Sequence, residues 1–143
     1  MTHAILTLNY LHVLLVTVSG FLLGWLWYSP VLFAKSWMAE LKITQEQMKA
    51  AAQKGMAKLF LSGFLYTFIS TFGLAAILNA HQPSWWGGGA LVGGFIGACV
   101  VGARVLNTGI WEQRSLRLQA INVGHEVALF AVQGTLLVVL RNW

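Results

Sequence analysis

The chain has 143 residues, of which 57% are hydrophobic and 9% charged, and its nine Lys/Arg face four Glu and no Asp. A soluble domain carries about 25% charged residues to meet water, so this balance, with a mean hydropathy of +0.68, excludes a soluble globule. Abundant Leu, Phe and Trp exclude disorder. Four apolar segments of about 20 residues fit within the chain, which makes it an all-α polytopic membrane protein with a single transmembrane domain over 1–143.

The first span runs from about Ala4 to Tyr28 and stops at Pro30, which cannot continue a helix. Its apolar run exceeds a signal peptide's core and has no basic segment before it, so it is kept as a span. Trp25, Trp27, Tyr28 and Trp37 mark its end with rings that favour the headgroup layer. Residues 35–58 form the long polar link, where Thr44 and Gln47 have capping-box spacing. The spacing predicts a helix from about Gln45 to Lys58, with Met48, Ala52 and Met56 beside Lys49, Lys54 and Lys58. This is the interfacial amphipathic helix expected between spans one and two.

The second span covers about Leu59 to Asn79, the third about Gly87 to Ile110, and the fourth about Ala120 to Leu140. The links after spans one and three hold five Lys and two Arg, whereas Arg141 is the basic residue near the opposite boundary. The positive-inside bias places both links in the cytoplasm and both termini outside. The lysines therefore read as a topology signal rather than a nucleic-acid footprint. Lone Cys99 can make no intrachain disulfide.

Several polar residues fall within these spans. A charge at the bilayer centre costs about 2.5–3.5 kcal/mol on insertion scales, so each asks for a reason. Asn9 and His12 lie one turn apart in span one, and Asn122, Glu126 and Gln133 share a stripe of span four with His125 at its edge. Arg104 lies about six residues from the end of span three, roughly 9 Å at 1.5 Å per residue, and Glu126 lies at matching depth in span four. An Arg104–Glu126 pair is the natural expectation, with snorkelling of Arg104 to phosphates as the alternative.

Asn9, His12, Arg104, Asn122, His125 and Glu126 thus read as one intramembrane polar cluster. It lines a path for protons or a small solute, or it fixes helix register. Two histidines on separate helices are a weak metal or haem signal, so no cofactor is expected. Span three carries interleaved small-residue ladders of the glycine-zipper kind, Gly89, Gly93 and Gly97 beside Gly94, Ala98 and Gly102. They pack the helix within one subunit or between subunits.

Two stretches are similar to an uncharacterised bacterial membrane family, domain of unknown function 1761. Gly24-Trp25-Leu26-Trp27-Tyr28-Ser29-Pro30, continuing to Phe33, Lys35, Trp37 and Met38, resembles its G-x-L-W-Y-S-P-x-x-F-x-K-x-W-M signature. Trp111-Glu112-Gln113-Arg114-Ser115, with Ile121-Asn122-x-Gly124, resembles its F-E-x-R-S…I-N-x-G segment, departing at Trp111 and at His125. The resemblance spans nearly the whole chain and implies a small protein of about four spans, with no established activity. On the residues themselves, Glu112, Arg114 and Ser115 read as an interfacial anchor and helix cap, Arg114 reaching for lipid phosphate.

No nucleotide loop, nucleophile elbow, zinc helix or CxxC occurs, so an enzyme is not expected. The functional expectation is an oligomeric channel or carrier, dimer or trimer, in the inner (cytoplasmic) membrane. The alternative is a non-catalytic accessory or scaffold protein that binds lipid or another membrane complex.

Overall fold

The computed structural model describes residues 5–141, with the side chains of 51–54 set aside. The expected span start at Ala4, and the Ala52 and Lys54 side chains of the amphipathic stripe, lie outside the described residues. Helix α1 is Tyr10–Trp27, α2 Ala34–Leu41, α3 Gln45–His81, α4 Trp86–Trp111 and α5 Leu116–Arg141. No strand occurs among the described residues. Four helical stretches are long and apolar enough to cross a membrane: Tyr10–Trp27, Gly55–His81, Trp86–Trp111 and Leu116–Arg141.

Local chemistry sets the boundaries. Asn9 Oδ1 accepts from Leu11 N at 3.0 Å and His12 N at 3.3 Å, so it caps α1 instead of sitting within a longer span. The link between the first two spans is more helical than its sequence suggests. Ala34–Leu41 forms a helix and ends where Lys42 adopts a left-handed conformation. The capping box at Thr44 and Gln47 is present, and α3 runs on from it until the backbone leaves helical geometry at Gly55. That break separates the amphipathic segment from the spanning one.

In lipid, close approach of backbones replaces the hydrophobic drive, and the tightest approach here is α4 against α5. A methyl added at Gly89 or Gly93 would overlap Gly134 O or Phe130 O, and one at Gly97 would stand 2.8 Å from Glu126 O. The ladder Gly89–Gly93–Gly97 thus meets 134, 130 and 126 of the antiparallel helix in matching steps of four. Its neighbour is the fourth span of the same chain. Gly94 touches only the Ala131 methyl group, at 3.8 Å from a would-be Cβ, and Gly102 abuts Gly97 O and Val123. From Gly97 to Gly102 the helix widens into a π turn. Helices α1 and α3 close the bundle through a core of Val13, Val16, Leu74, Leu78, Phe130 and Val138.

Candidate functional site

The polar residues of the spans occupy three levels rather than one cluster. At the end nearest the termini, Asn9, His12, Asn79 and Arg141 line a cavity of about 300 Å³. The Asn9 amide faces His12 Nε2 at 3.2 Å, and Asn79 donates to Thr7 Oγ1 at 2.9 Å. Arg141 is held by main-chain acceptors, donating to Pro83 O at 2.6 Å and Leu78 O at 3.5 Å. These contacts cross the α3–α4 turn and tie the end of the last helix to it.

At mid-bundle Thr17, Thr71 and Gln133 are wholly buried. Gln133 donates to Thr71 Oγ1 at 2.7 Å, and Thr71 passes its own hydrogen to Thr67 O at 2.7 Å. Thr17 donates back to Val13 O. A side chain at position 20 would overlap the Gln133 amide, so Gly20 makes room for it. Gln133 lies eight residues from both His125 and Arg141, about 12 Å each way at 1.5 Å per residue. The layer is closed to the surface.

The third level lies at the opposite end, which carries the long link and the short α4–α5 turn. His125 Nδ1 and Glu126 Oε1 are 3.1 Å apart. Tyr28 donates to Asn122 Oδ1 at 3.1 Å, and Trp27 Nε1 donates to Ile121 O at 3.1 Å. The His125 ring sits 5.2 Å from that of Tyr28 and 5.9 Å from that of Trp27, and Trp37 meets Tyr28 edge-on at 5.6 Å. Gly124 lets the indole lie close, since a Cβ there would stand 3.2 Å from the Trp27 ring. Just beyond the first span, burial and then the nearby Glu126 carboxylate push the Tyr28 phenol up to about 12. It therefore remains a donor at any physiological pH. Glu126 and Asn122 border a cavity of about 810 Å³, walled largely by Trp37, Met38, Met48 and Phe60.

The expected Arg104–Glu126 pair is absent, and Glu126 pairs with its sequence neighbour His125 instead. Arg104 is exposed and borders a cavity of about 230 Å³ with Asn122, Gln119, Glu112 and Arg114. The cause is the π turn between Gly97 and Arg104. One extra residue in a turn rotates everything after it by about 100°, one residue's worth of helix. His12 and His125 do not co-ligate a metal, because they lie at opposite ends of the bundle. His125 packs by Gly24, twelve residues or about 18 Å along α1 from His12.

The interfacial residues divide in role. Trp25 is exposed, as an anchor would be, whereas Trp27, Tyr28 and Trp37 are turned into the protein. Arg114 pairs with Glu112, and Ser115 begins α5 by accepting from Leu118 N at 3.1 Å while donating to Glu40. Arg117 donates to Ser36 Oγ at 3.1 Å and lies 3.9 Å from Glu40. The two motif stretches, joined by contacts 81 to 94 positions apart, are thus one contact surface. Sequence reasoning passed over Ser36, Glu40, Thr71, Asn79 and Arg141 as partners, since each matters only through a residue distant in the chain.

The family model described as "Protein of unknown function (DUF1761)" matches residues 11–138. No curated protein and no solved structure matches the chain.

Proposed function

Because the chain belongs to the DUF1761 family of proteins of unknown function, a membership that assigns no activity, we propose a function from geometry: a non-catalytic carrier for protons or a small solute. The observation that carries this reading is the closed Thr17–Thr71–Gln133 layer between two cavities, one bordered by His12 and Arg141, the other largely apolar but bordered by Asn122 and Glu126. A channel needs a continuous wet path. A carrier needs a barrier that one side opens at a time, with exchangeable groups on both faces.

In this reading Glu126 and His125 take up the proton or solute at the link end, and His12 releases it at the other. The protein sits in an inner (cytoplasmic) membrane with both termini outside and the lysine-rich link inside, following its basic residues. It works as a dimer or trimer. Arg104 and Asn107 are exposed one turn apart on α4, and polar groups at that depth favour a protein neighbour over lipid. The accessory or scaffold reading draws instead on the exposed indoles of Trp25 and Trp111.

Reconstitution into liposomes with an internal pH dye tests the carrier. Glu126→Gln and His12→Ala are expected to abolish a pH-dependent flux and leave the fold intact. Liposomes that show no flux of protons, ions or small solutes with the unaltered protein would overturn the reading.

A further inference from the structure

Two buried polar atoms without a hydrogen-bond partner, Ser29 Oγ and His125 Nε2, belong to residues lining one cleft of about 550 Å³. Buried polar atoms are nearly always paired, so two exceptions on one cleft call for a cause. The cleft lies between α1, α3 and α5, with Met48, Met56, Phe60 and Leu129 among its walls. Met48, Met56 and Phe60 are themselves exposed, so the cleft opens sideways from the bundle. Methionine walls adapt to an apolar chain of irregular shape.

The polar floor selects the head of such a ligand. With Glu126 as a carboxylate and His125 as the neutral Nδ1–H tautomer, His125 donates Nδ1–H to Oε1 across 3.1 Å, which leaves a lone pair on Nε2. Gly24 leaves room beside that nitrogen, since a Cβ there would stand only 3.3 Å from it. Ser29 Oγ supplies a second acceptor. The site therefore wants a donor, and the adjacent carboxylate favours a positive one. The nearest cation on the adjoining cavity, Arg114, is already paired with Glu112.

We infer that this cleft binds a lipophilic primary ammonium, its N–H groups donating to His125 Nε2 and Ser29 Oγ and its chain lying along Met48, Met56 and Phe60. Binding needs no translocation, so the inference goes beyond the carrier reading and can hold if that reading fails.

The test uses the full chain in phosphatidylcholine nanodiscs, titrated with chain-brominated alkyl probes that quench tryptophan fluorescence on contact. The three probes share one chain length and carry a primary amine, an alcohol or a trimethylammonium head. The amine is expected to quench saturably. The trimethylammonium, with the charge but no donor, should bind about tenfold more weakly, the worth of roughly one hydrogen bond. Ser29→Ala, and separately Gly24→Ala, which crowds Nε2 and adds helix propensity, should each weaken the amine by a similar factor. Equal, unsaturable quenching by all three heads would overturn the inference, as would unchanged amine affinity in both variants. An alcohol that binds more tightly than the amine would overturn the ammonium assignment. Saturable amine binding without liposome flux would sink the carrier alone.

Discussion

The phenol of Tyr28, at the C-cap of α1, donates to the amide oxygen of Asn122 in α5 across 3.1 Å. With the Trp27 indole on Ile121 O one residue earlier, it closes the first span onto the last. Tyr28→Phe keeps the ring and removes the bond, and is expected to lower stability by about 1 kcal/mol in detergent melts. Asn122→Ala in the Tyr28→Phe background should then add less than it does alone. Additive losses would mean that the two side chains do not cooperate.

The same phenol sets a pH dependence. Its folded value of about 12 lies above the ordinary 10.0, so the unfolded chain gives up the proton first as pH rises. Its contribution is complete below pH 10 and is lost between about pH 10 and 12. Melts across that window should show an alkaline loss that is reduced in Tyr28→Phe. An identical alkaline profile in both proteins would contradict the assignment.

Gly93 and Gly94 are adjacent, yet they should respond oppositely to substitution. A side chain at Gly93 overlaps the main chain at Phe130 O, whereas one at Gly94 makes ordinary contact with Ala131 at 3.8 Å. Gly93→Val is expected to cost about 1–3 kcal/mol or to prevent folding, because backbone cannot move aside. Gly94→Ala should be neutral or stabilising by about 0.5–1 kcal/mol through helix propensity. Thermal melts of the two variants check the contrast.

Much of this architecture was legible in the chain. Hydropathy alone placed four spans, and the Thr44–Gln47 spacing placed the start of α3, because both are local properties. The first span came out too long because Asn9 reads as an intramembrane polar residue until its cap geometry is seen. The helix over Ala34–Leu41 went unseen because it is held by contacts distant in the chain, Trp37 on Tyr28 and Ser36 and Glu40 on Arg117 and Ser115, rather than by a long apolar stripe of its own. The polar residues were found, but their grouping was not. Depth counting fixes a residue's height and not its direction, and the π turn rotates Arg104 away from Glu126. Gln133 lay on the expected stripe, yet its partner Thr71 stands 62 positions away, and no spacing rule connects them.

Charge in the closed layer should be far worse than apolar bulk. Gln133→Leu removes the unpaired Oε1 and leaves Thr71 still bonded to Thr67 O, so it should change stability by less than about 1 kcal/mol. Gln133→Glu is expected to cost about 2.5–3.5 kcal/mol at neutral pH. Equal melting temperatures for the two would mean that water reaches this level.

Sidedness can be read with single cysteines. In a Cys99→Ser background, Lys42→Cys and Ser84→Cys should react with an impermeant maleimide from opposite faces of sealed vesicles, with Ser84→Cys on the outer one. The reverse pattern would invert the orientation and leave the fold untouched.

The wide turn at Gly97–Gly102 acts as a phase shift within one span. Upstream, α4 keeps step with the glycine-bearing face of α5; downstream, the same helix answers to a different azimuth and carries Arg104 away from Glu126. Wound as an ordinary α-helix with every residue kept, that stretch would set Arg104 about 700° beyond Gly97, nearly on the ladder's face and back toward the carboxylate. The widened turn thus keeps two opposite charges strangers, and leaves Glu126 to His125.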